Sequence, residues 1–274
     1  MTADLVSIVM PAYNSERFLA EAIASVQSQT YAHWNLIVVD DCSGDGTARV
    51  AREWSKQDPR VTVLSSPANG GTAAARNLGL LHCTGRFIAF LDADDLWMPG
   101  KLERQLSFMA ERNATFSFTA YQKFSSGGLG GVIAARSTVS WHDMLKGNRI
   151  GCSTVVLDTR AFSRLRFPPG IARRGELPLW RSLFDAERRL ELIERGGRED
   201  YALWLSLLRQ GELAYGLDEP LVRYRVHGAS KTARKLRAIV AQWIVYRDFE
   251  RISRLSSAWY LAHYAVRGVI KALH

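Results

Sequence analysis

At 274 residues and 47% hydrophobic content the chain is long enough to bury a full core, as one large α/β domain or one domain with an appendage. No stretch reaches about 18 uninterrupted apolar residues, and strand-like sequence begins at once without a basic-then-apolar leader, which argues against a spanning helix and against secretion. Its three cysteines, Cys42, Cys83 and Cys152, are odd in number and far apart, which argues against a disulfide framework or a zinc site and fits a reducing cytosol. The net charge of +9 is unevenly placed: residues 221–274 hold eleven Lys or Arg against two acids, and everything before them is neutral. A basic C-terminal block implies an anionic surface as partner, membrane or nucleic acid.

Leu5 to Met10 reads as a buried strand, followed by Pro11-Ala12-Tyr13-Asn14-Ser15 and a helix whose Phe18, Leu19, Ala22, Ile23 and Val26 keep helical spacing, capped by Ser15 or Asn14. Trp34 to Val39 is a second strand ending in Asp40 and Asp41. A turn at Ser43-Gly44-Asp45-Gly46 then leads into a helix from about Thr47. Val61 to Leu64 is a third strand, opening into Ser66-Pro67-Ala68-Asn69-Gly70-Gly71 and a helix of small residues, Ala73 to Ala75, that also carries Arg76. Its N-terminus after two glycines can face an anion. Phe87 to Leu91 has no polar break and delivers Asp92, Asp94 and Asp95 to its end, so it reads as a strand buried on both faces with acids at its carboxyl edge.

Strict strand-helix alternation through residue 95 predicts a doubly wound, mainly parallel sheet, and open sheets of this kind bind ligands at the carboxyl ends of their strands. Three such ends, Pro11 to Asn14, Asp40 with Asp41, and Asp92 to Asp95, converge on one crevice and suggest a nucleotide site. Taken alone, each acidic set also fits turn and helix-cap chemistry. Clustered carboxylates repel one another unless a cation or hydrogen-bond donors compensate, and an all-oxygen set suits Mg²⁺ or Mn²⁺.

The succession Val9-Met10-Pro11-Ala12-Tyr13-Asn14, Val39-Asp40-Asp41-Cys42-Ser43, Gly70-Gly71 with Ala75-Arg76-Asn77-Leu78-Gly79, and Leu91-Asp92-Ala93-Asp94-Asp95 resembles glycosyltransferase family 2 over residues 5 to about 105. The resemblance implies a GT-A type fold and an inverting sugar transfer from a nucleoside diphosphate sugar, uridine being the default base, with a divalent metal, Mn²⁺ or Mg²⁺. By position it assigns Pro11, Ala12, Tyr13, Asn14 and Ala93 to the nucleotide-sugar site and Asp41 or Asp40 to base or ribose. Arg76 falls to the base or phosphate region, Asp92 to ribose or sugar and Asp94, with Asp92, to the metal. Cys42-Ser43 stands where the family commonly has Gly-Ser, a change that should leave the turn intact.

Beyond this half, Lys101 to Ala110 is a helix, Thr115 to Phe124 an added, antiparallel strand, Ser125 to Gly131 a hairpin tip, Trp141 to Leu145 a helical turn and Gly151 to Leu157 another strand. The polar stretch Asn148 to Ser153 either lines the acceptor side or is a plain entry loop. Residues 168–198 read as an amphipathic insertion, a lid or a packing helix. In Arg198-Glu199-Asp200-Tyr201, two acids open a helix whose apolar face is Leu203, Trp204, Leu207 and Leu208; carboxylates favour that end for structural reasons alone. The resemblance implies more, that Asp200 with Glu199 beside it supplies the catalytic base. Leu221 to Val226 is a strand, and His227 in the loop after it is either a metal or phosphate contact or a structural hydrogen bond.

From Thr232 two helices are expected, split near Ser253 to Ser257, with Trp243, Tyr246, Trp259, Tyr260 and Tyr264 interleaved with cations. That pattern suits a membrane interface or a helix packed back on the domain. The expected organisation is therefore a catalytic domain over 1–230, with a nucleotide-binding half (1–110) and an acceptor half (111–230), and a basic aromatic tail over 231–274. The expected setting is cytoplasmic, peripheral at the inner face of the plasma membrane. The acceptor is a glycan or a lipid-linked sugar of surface-polysaccharide synthesis, and no nucleic acid is expected. The rivals are a nucleotidyltransferase, which should carry a glycine-rich basic loop after its first strand, a phosphatase with its acids on the first strand, and a non-catalytic nucleotide- or carbohydrate-binding module.

Overall fold

A computed structural model describes residues 4–162, 165–167, 198–226 and 239–273. The first half follows the expected alternation: β1 (Val6–Ala12), α1 (Glu16–Gln27), β2 (Trp34–Asp40), α2 (Thr47–Gln57), β3 (Val61–Ser65), α3 (Thr72–Leu80) and β4 (Phe87–Phe90). After it come β5 (Leu96–Trp97), α4 (Lys101–Arg112), β6 (Phe116–Ser125), β7 (Gly128–Ile133), β8 (Thr138–Val139), α5 (Trp141–Leu145) and β9 (Val156–Asp158). The last elements are α6 (Glu199–Leu208), β10 (Ala214–Arg225), α7 (residues 239–244, passing into a π-helical turn Val245–Phe249) and α8 (Arg254–Leu273).

Among the described residues the strands join one ten-stranded sheet in the order β3-β2-β1-β4-β9-β6-β10-β5, with β7 on β6 and β8 on β10. β1, β2, β3 and β4 are mutually parallel neighbours, so their carboxyl ends share one edge, the property that gathers Ala12, Asp40 and Asp92. β9 reverses direction between β4 and β6. β6 is antiparallel to β7 and β9, as expected of an added strand, but runs parallel to β10.

The central strands are buried on both faces, which is why they read as continuous apolar runs. Ile8, Met10, Leu36, Val38 and Ala89 pack against Leu19, Ile23 and Val26 of α1 and Leu102 and Met109 of α4. Val9, Ile88 and Phe90 face the other way, onto Ala73 of α3, Phe167 and the apolar face of α6. At Gly79 α3 comes so close to β1 that a Cβ there would sit 2.5 Å from Val9 Cγ1, and the absence of a side chain lets the helix lie flat on the strand.

One expectation needs correction. The strand read over Gly151 to Leu157 is confined to Val156–Asp158, and Cys152–Thr154 is a 3-10 turn. Tertiary bonds override strand propensity there. Trp97 Nε1 donates to the Ser153 carbonyl (2.8 Å), Gln105 Nε2 to the Thr154 carbonyl (3.0 Å), and Thr154 Oγ1 to the Gly151 carbonyl (2.7 Å). The first part of the tail packs on the domain, one of the two arrangements its composition allowed. Ile244, Val245 and Tyr246 share a core with α5 and α6, and the Tyr246 hydroxyl bonds the Leu145 carbonyl (2.5 Å). Residues 168–197, the bulk of the expected insertion, and His227 lie outside the described residues.

Candidate active site

The shared strand edge brings three loops side by side. After β1, Tyr13 is exposed and Asn14 takes a left-handed backbone (φ 47°), while its side chain accepts from Gly44 N–H (2.9 Å) and its N–H donates to Ser43 Oγ (3.0 Å). Asp40 Oδ1 accepts from Ser43 N–H (3.3 Å) in the same loop, where Cys42 is also left-handed (φ 59°). Pro11-Ala12-Tyr13-Asn14 and Asp40 to Asp45 are thus one knitted surface. Asp41 points elsewhere. It is 2% exposed, and its two oxygens accept from Gly70 N–H (3.0 Å) and Gly71 N–H (2.7 Å), fixing the glycine loop at the start of α3.

α3 carries Arg76, also 2% exposed, into the centre of the site. Its Nη2 donates to Asp92 Oδ1 (2.6 Å) and its Nη1 to Glu199 Oε1 (3.1 Å), and the guanidinium lies 5.1 Å from the Phe167 ring centroid. The guanidinium therefore bridges two carboxylates. The buried cation holds the end of β4 against the start of α6. Aromatic packing sets up the same approach: Phe90, on β4, meets Phe167 (5.2 Å, edge-on) and Trp204 of α6 (6.0 Å).

Asp200 follows Glu199 at the first turn of α6. One oxygen accepts from its neighbour Tyr201 N–H (2.6 Å), and the other lies 3.4 Å from Asn148 Nδ2. Burial, and then the adjacent Glu199 charge, raise its pKa to about 7, while Arg76 and Arg198 pull the other way. A carboxyl held near neutrality has the pKa required of a general base.

The Asp92 to Asp95 loop is closed by Ser153, the last residue of the polar stretch that begins at Asn148. Its hydroxyl donates to Asp95 Oδ2 (2.6 Å) and accepts from Asp92 N–H (3.1 Å). Asp95, 1% exposed, also accepts from Arg225 N–H (2.9 Å), and Arg225 Nε donates to the Asp94 carbonyl (2.7 Å). Asp95 is therefore the internal brace of the loop, and Ala93 is buried beside it. Burial, followed by the charges of Asp92 and Asp94, pushes the Asp95 carboxyl well up. Burial and the same three acids push up the hydroxyl of Tyr224. Negative potential in excess of the local cations is what a divalent metal would relieve, and the donor set is carboxylate oxygen, which suits Mg²⁺ or Mn²⁺. Among the described residues no three His, Cys, Asp or Glu side chains converge to hold an ion by themselves. Asp94, with Asp92, fits a metal only in company with oxygens brought by a ligand, the usual way Mg²⁺ sits on a nucleotide.

The profile of glycosyl transferase family 2 matches residues 7–164. TuaG of Bacillus subtilis (strain 168), named for teichuronic acid biosynthesis, is 36% identical over 98% of this chain and 98% of its own. WfgD of Escherichia coli, named a UDP-Glc:alpha-D-GlcNAc-diphosphoundecaprenol beta-1,3-glucosyltransferase, is 35% identical over 97% of this chain and 94% of its own. Among solved structures, the mannosyltransferase PcManGT from Pyrobaculum calidifontis in complex with GDP-Man and Mn²⁺ superposes with a TM-score of 0.64 at 16% identity, over 98% of this chain and 75% of that one. The fold is thus GT-A-like, and the chain belongs to glycosyltransferase family 2.

Proposed function

We propose that this glycosyltransferase moves a sugar, with inversion, from a UDP-sugar to a hydroxyl of a glycan or lipid-linked acceptor in cell-surface polysaccharide synthesis. The observation that carries the reading is Asp200, a carboxyl poised near pH 7 beside the Arg76 bridge that joins the Asp92 loop to α6. The acceptor oxygen attacks the anomeric carbon from the face opposite the diphosphate. A carbon-oxygen bond forms as the bond to the leaving phosphate oxygen breaks, with the electron pair leaving on that oxygen, and Asp200 takes the acceptor proton. Attack from the far face inverts the centre. Pro11 to Asn14, with Asp40, receive base and ribose, while Asp41 holds the glycine loop beside them; Asp92 orients ribose or sugar. Asp94 and Asp92 would hold Mn²⁺ or Mg²⁺, which when bound supplies charge stabilisation to the departing diphosphate. WfgD's printed donor and acceptor, in a relative matched nearly end to end, support UDP-sugar and a diphospholipid-linked sugar; the Mn²⁺ of PcManGT supports the metal.

The test is release of nucleoside diphosphate from a panel of donors with a GlcNAc-diphosphoprenol acceptor and Mn²⁺ or Mg²⁺, with the product anomer read by proton NMR. One donor should give acceptor-dependent release that EDTA abolishes, and Asp94→Asn should reduce it at least about 100-fold, given several kcal/mol of metal stabilisation. Undiminished turnover in EDTA sinks the metal assignment, and a retained anomer sinks the single displacement.

We further propose that α8 rests on the anionic inner face of the plasma membrane. Among the described residues no helix is long and apolar enough to cross a bilayer. At the start of α8, Leu255 (86% exposed) and Trp259 (52% exposed) lie one turn apart, with Arg251 and Arg254 beside them, the make-up of an interfacial segment. Deleting the tail would strip Tyr246 from the core, so the informative variant is Leu255→Ser with Trp259→Ser. Retention on phosphatidylglycerol vesicles should fall several-fold without a change in melting temperature. Equal retention removes the membrane assignment.

A further inference from the structure

The last helix does more than cover the domain. Arg198 is the residue that caps α6, immediately before Glu199 and Asp200. Its guanidinium donates to the Tyr264 hydroxyl and lies 5.2 Å from the Tyr264 ring centroid, so both the edge and the face of that ring hold it. Tyr264 also flanks the other side of the base. Its Cδ2 would be 3.8 Å from a Cβ at Gly147, the residue before Asn148, whose amide faces Asp200.

The helix that carries Tyr264 is fastened to the same region. Glu250 accepts from Trp141 Nε1 (2.7 Å), Tyr246 bonds the Leu145 carbonyl, and the Tyr246 and Tyr260 rings meet at 6.1 Å. Every one of these contacts lands on α5, α6 or the tail itself, the elements that frame Asp200.

We propose that Tyr264 and Arg198 are positioning residues for the catalytic carboxylate, the C-terminal helix bracing the cap residue of α6 and the Gly147–Asn148 segment that together frame Asp200. The proposal rests on the reading of Asp200 as the base. The charged and titratable groups that surround Asp200 are Glu199 on its own helix, Arg76 from α3, Arg198 at the cap and the buried thiol of Cys152 from the 3-10 turn. Of the two cations, Arg76 is tied to Asp92 and Glu199, whereas Arg198 is tied to the tail. Among the described contacts of these two cations, it is the Arg198 one that reaches the tail. A cation near a carboxylate favours its ionised form, and Arg198 does lower the Asp200 pKa. Releasing that guanidinium must therefore raise it, leaving less base at mildly acid pH and the same amount well above neutrality.

The experiment uses the full chain and the variants Tyr264→Leu, Tyr264→Phe, Arg198→Gln and Tyr264→Leu with Arg198→Gln. The Asp200 carboxyl is followed by carbon-13 NMR titration, identified by its loss in Asp200→Asn, and transfer is measured from pH 5.5 to 9. Tyr264→Leu should move the titration midpoint up. Activity at pH 6 should then fall roughly three- to tenfold and stay near wild type at pH 9. Tyr264→Phe keeps the ring and should shift less. The double variant should match Arg198→Gln alone, since both act through one guanidinium. An unmoved midpoint in both Tyr264→Leu and Arg198→Gln overturns the proposal, as does a loss of activity equal at every pH with a lowered melting temperature. The two readings fail separately: a midpoint that moves in a protein whose transfer ignores Asp200→Asn keeps the positioning and discards the base.

Discussion

Asp200→Asn should lower kcat by about 10³, within the range of roughly 10² to 10⁴ typical of lost general-base catalysis, and leave donor affinity within about twofold. The amide preserves the shape and the contact with Tyr201 N–H, so what is removed is the proton acceptor. In the wild type, activity should climb from the acid side with a midpoint near 7, because only the ionised carboxyl is a base. The same shift makes a second, independent forecast. A carboxyl whose folded pKa lies at about 7, above the ordinary 3.8, is easier to bury protonated than charged. Between those two values the folded state holds more protons than the unfolded one, so wild-type stability falls as pH rises through that window. The asparagine has no such window. It should be level with wild type near pH 4 and more stable than wild type at pH 8, with about 4 kcal/mol, the whole shift, as the upper bound. Thermal melts at the two pH values check the sign. A variant that is inactive and no more stable at pH 8 would mean that the carboxyl is ordinary and the loss has another cause.

How far the sequence reveals this arrangement depends on the range of the interactions concerned. β1, β2 and β4 are legible to within two residues because burial on both faces makes them uninterrupted apolar runs, and their acids mark the edge. The two-residue strands β5 and β8 leave no period to detect, and the 3-10 turn at Cys152 is written in bonds to Trp97 and Gln105 that are distant in sequence. Arg76 shows the limit most clearly. In sequence it is one cation on a helix of small residues after two glycines, which suggests an anion facing it. Its partner Glu199 is 123 positions away, and no local pattern announces that the two meet. Asp95 and Ser153 are similar: a third acid and a loop serine, whose mutual bond braces the loop. The tail was ambiguous for a different reason. Aromatics among cations describe equally a helix on a lipid surface and a helix packed on a protein, and α7 with α8 does the second through Tyr246 and Tyr264 while leaving Leu255 and Trp259 outside.

Arg76→Met is expected to be the most damaging single change in the chain, destabilising it by about 3–5 kcal/mol and abolishing transfer. Breaking a buried ion pair by removing one partner leaves the other uncompensated, and here there are two, Asp92 and Glu199. Lysine should rescue little, because one ammonium cannot present the two donors that span Asp92 Oδ1 and Glu199 Oε1. Urea unfolding should show the loss as a lower midpoint with an unchanged slope. Adding Glu199→Gln to Arg76→Met should recover part of the stability, since the amide no longer needs a cation, yet should not restore activity. The end of β4 would still have lost the group that draws Asp92 towards α6 and Asp200. If Arg76→Met unfolds like the wild type, the bridge is not what joins the two halves of the site. The approach of β4 to α6 would then rest on Phe90, Phe167 and Trp204 alone, and Arg76 would be free to serve the donor, as the resemblance first implied.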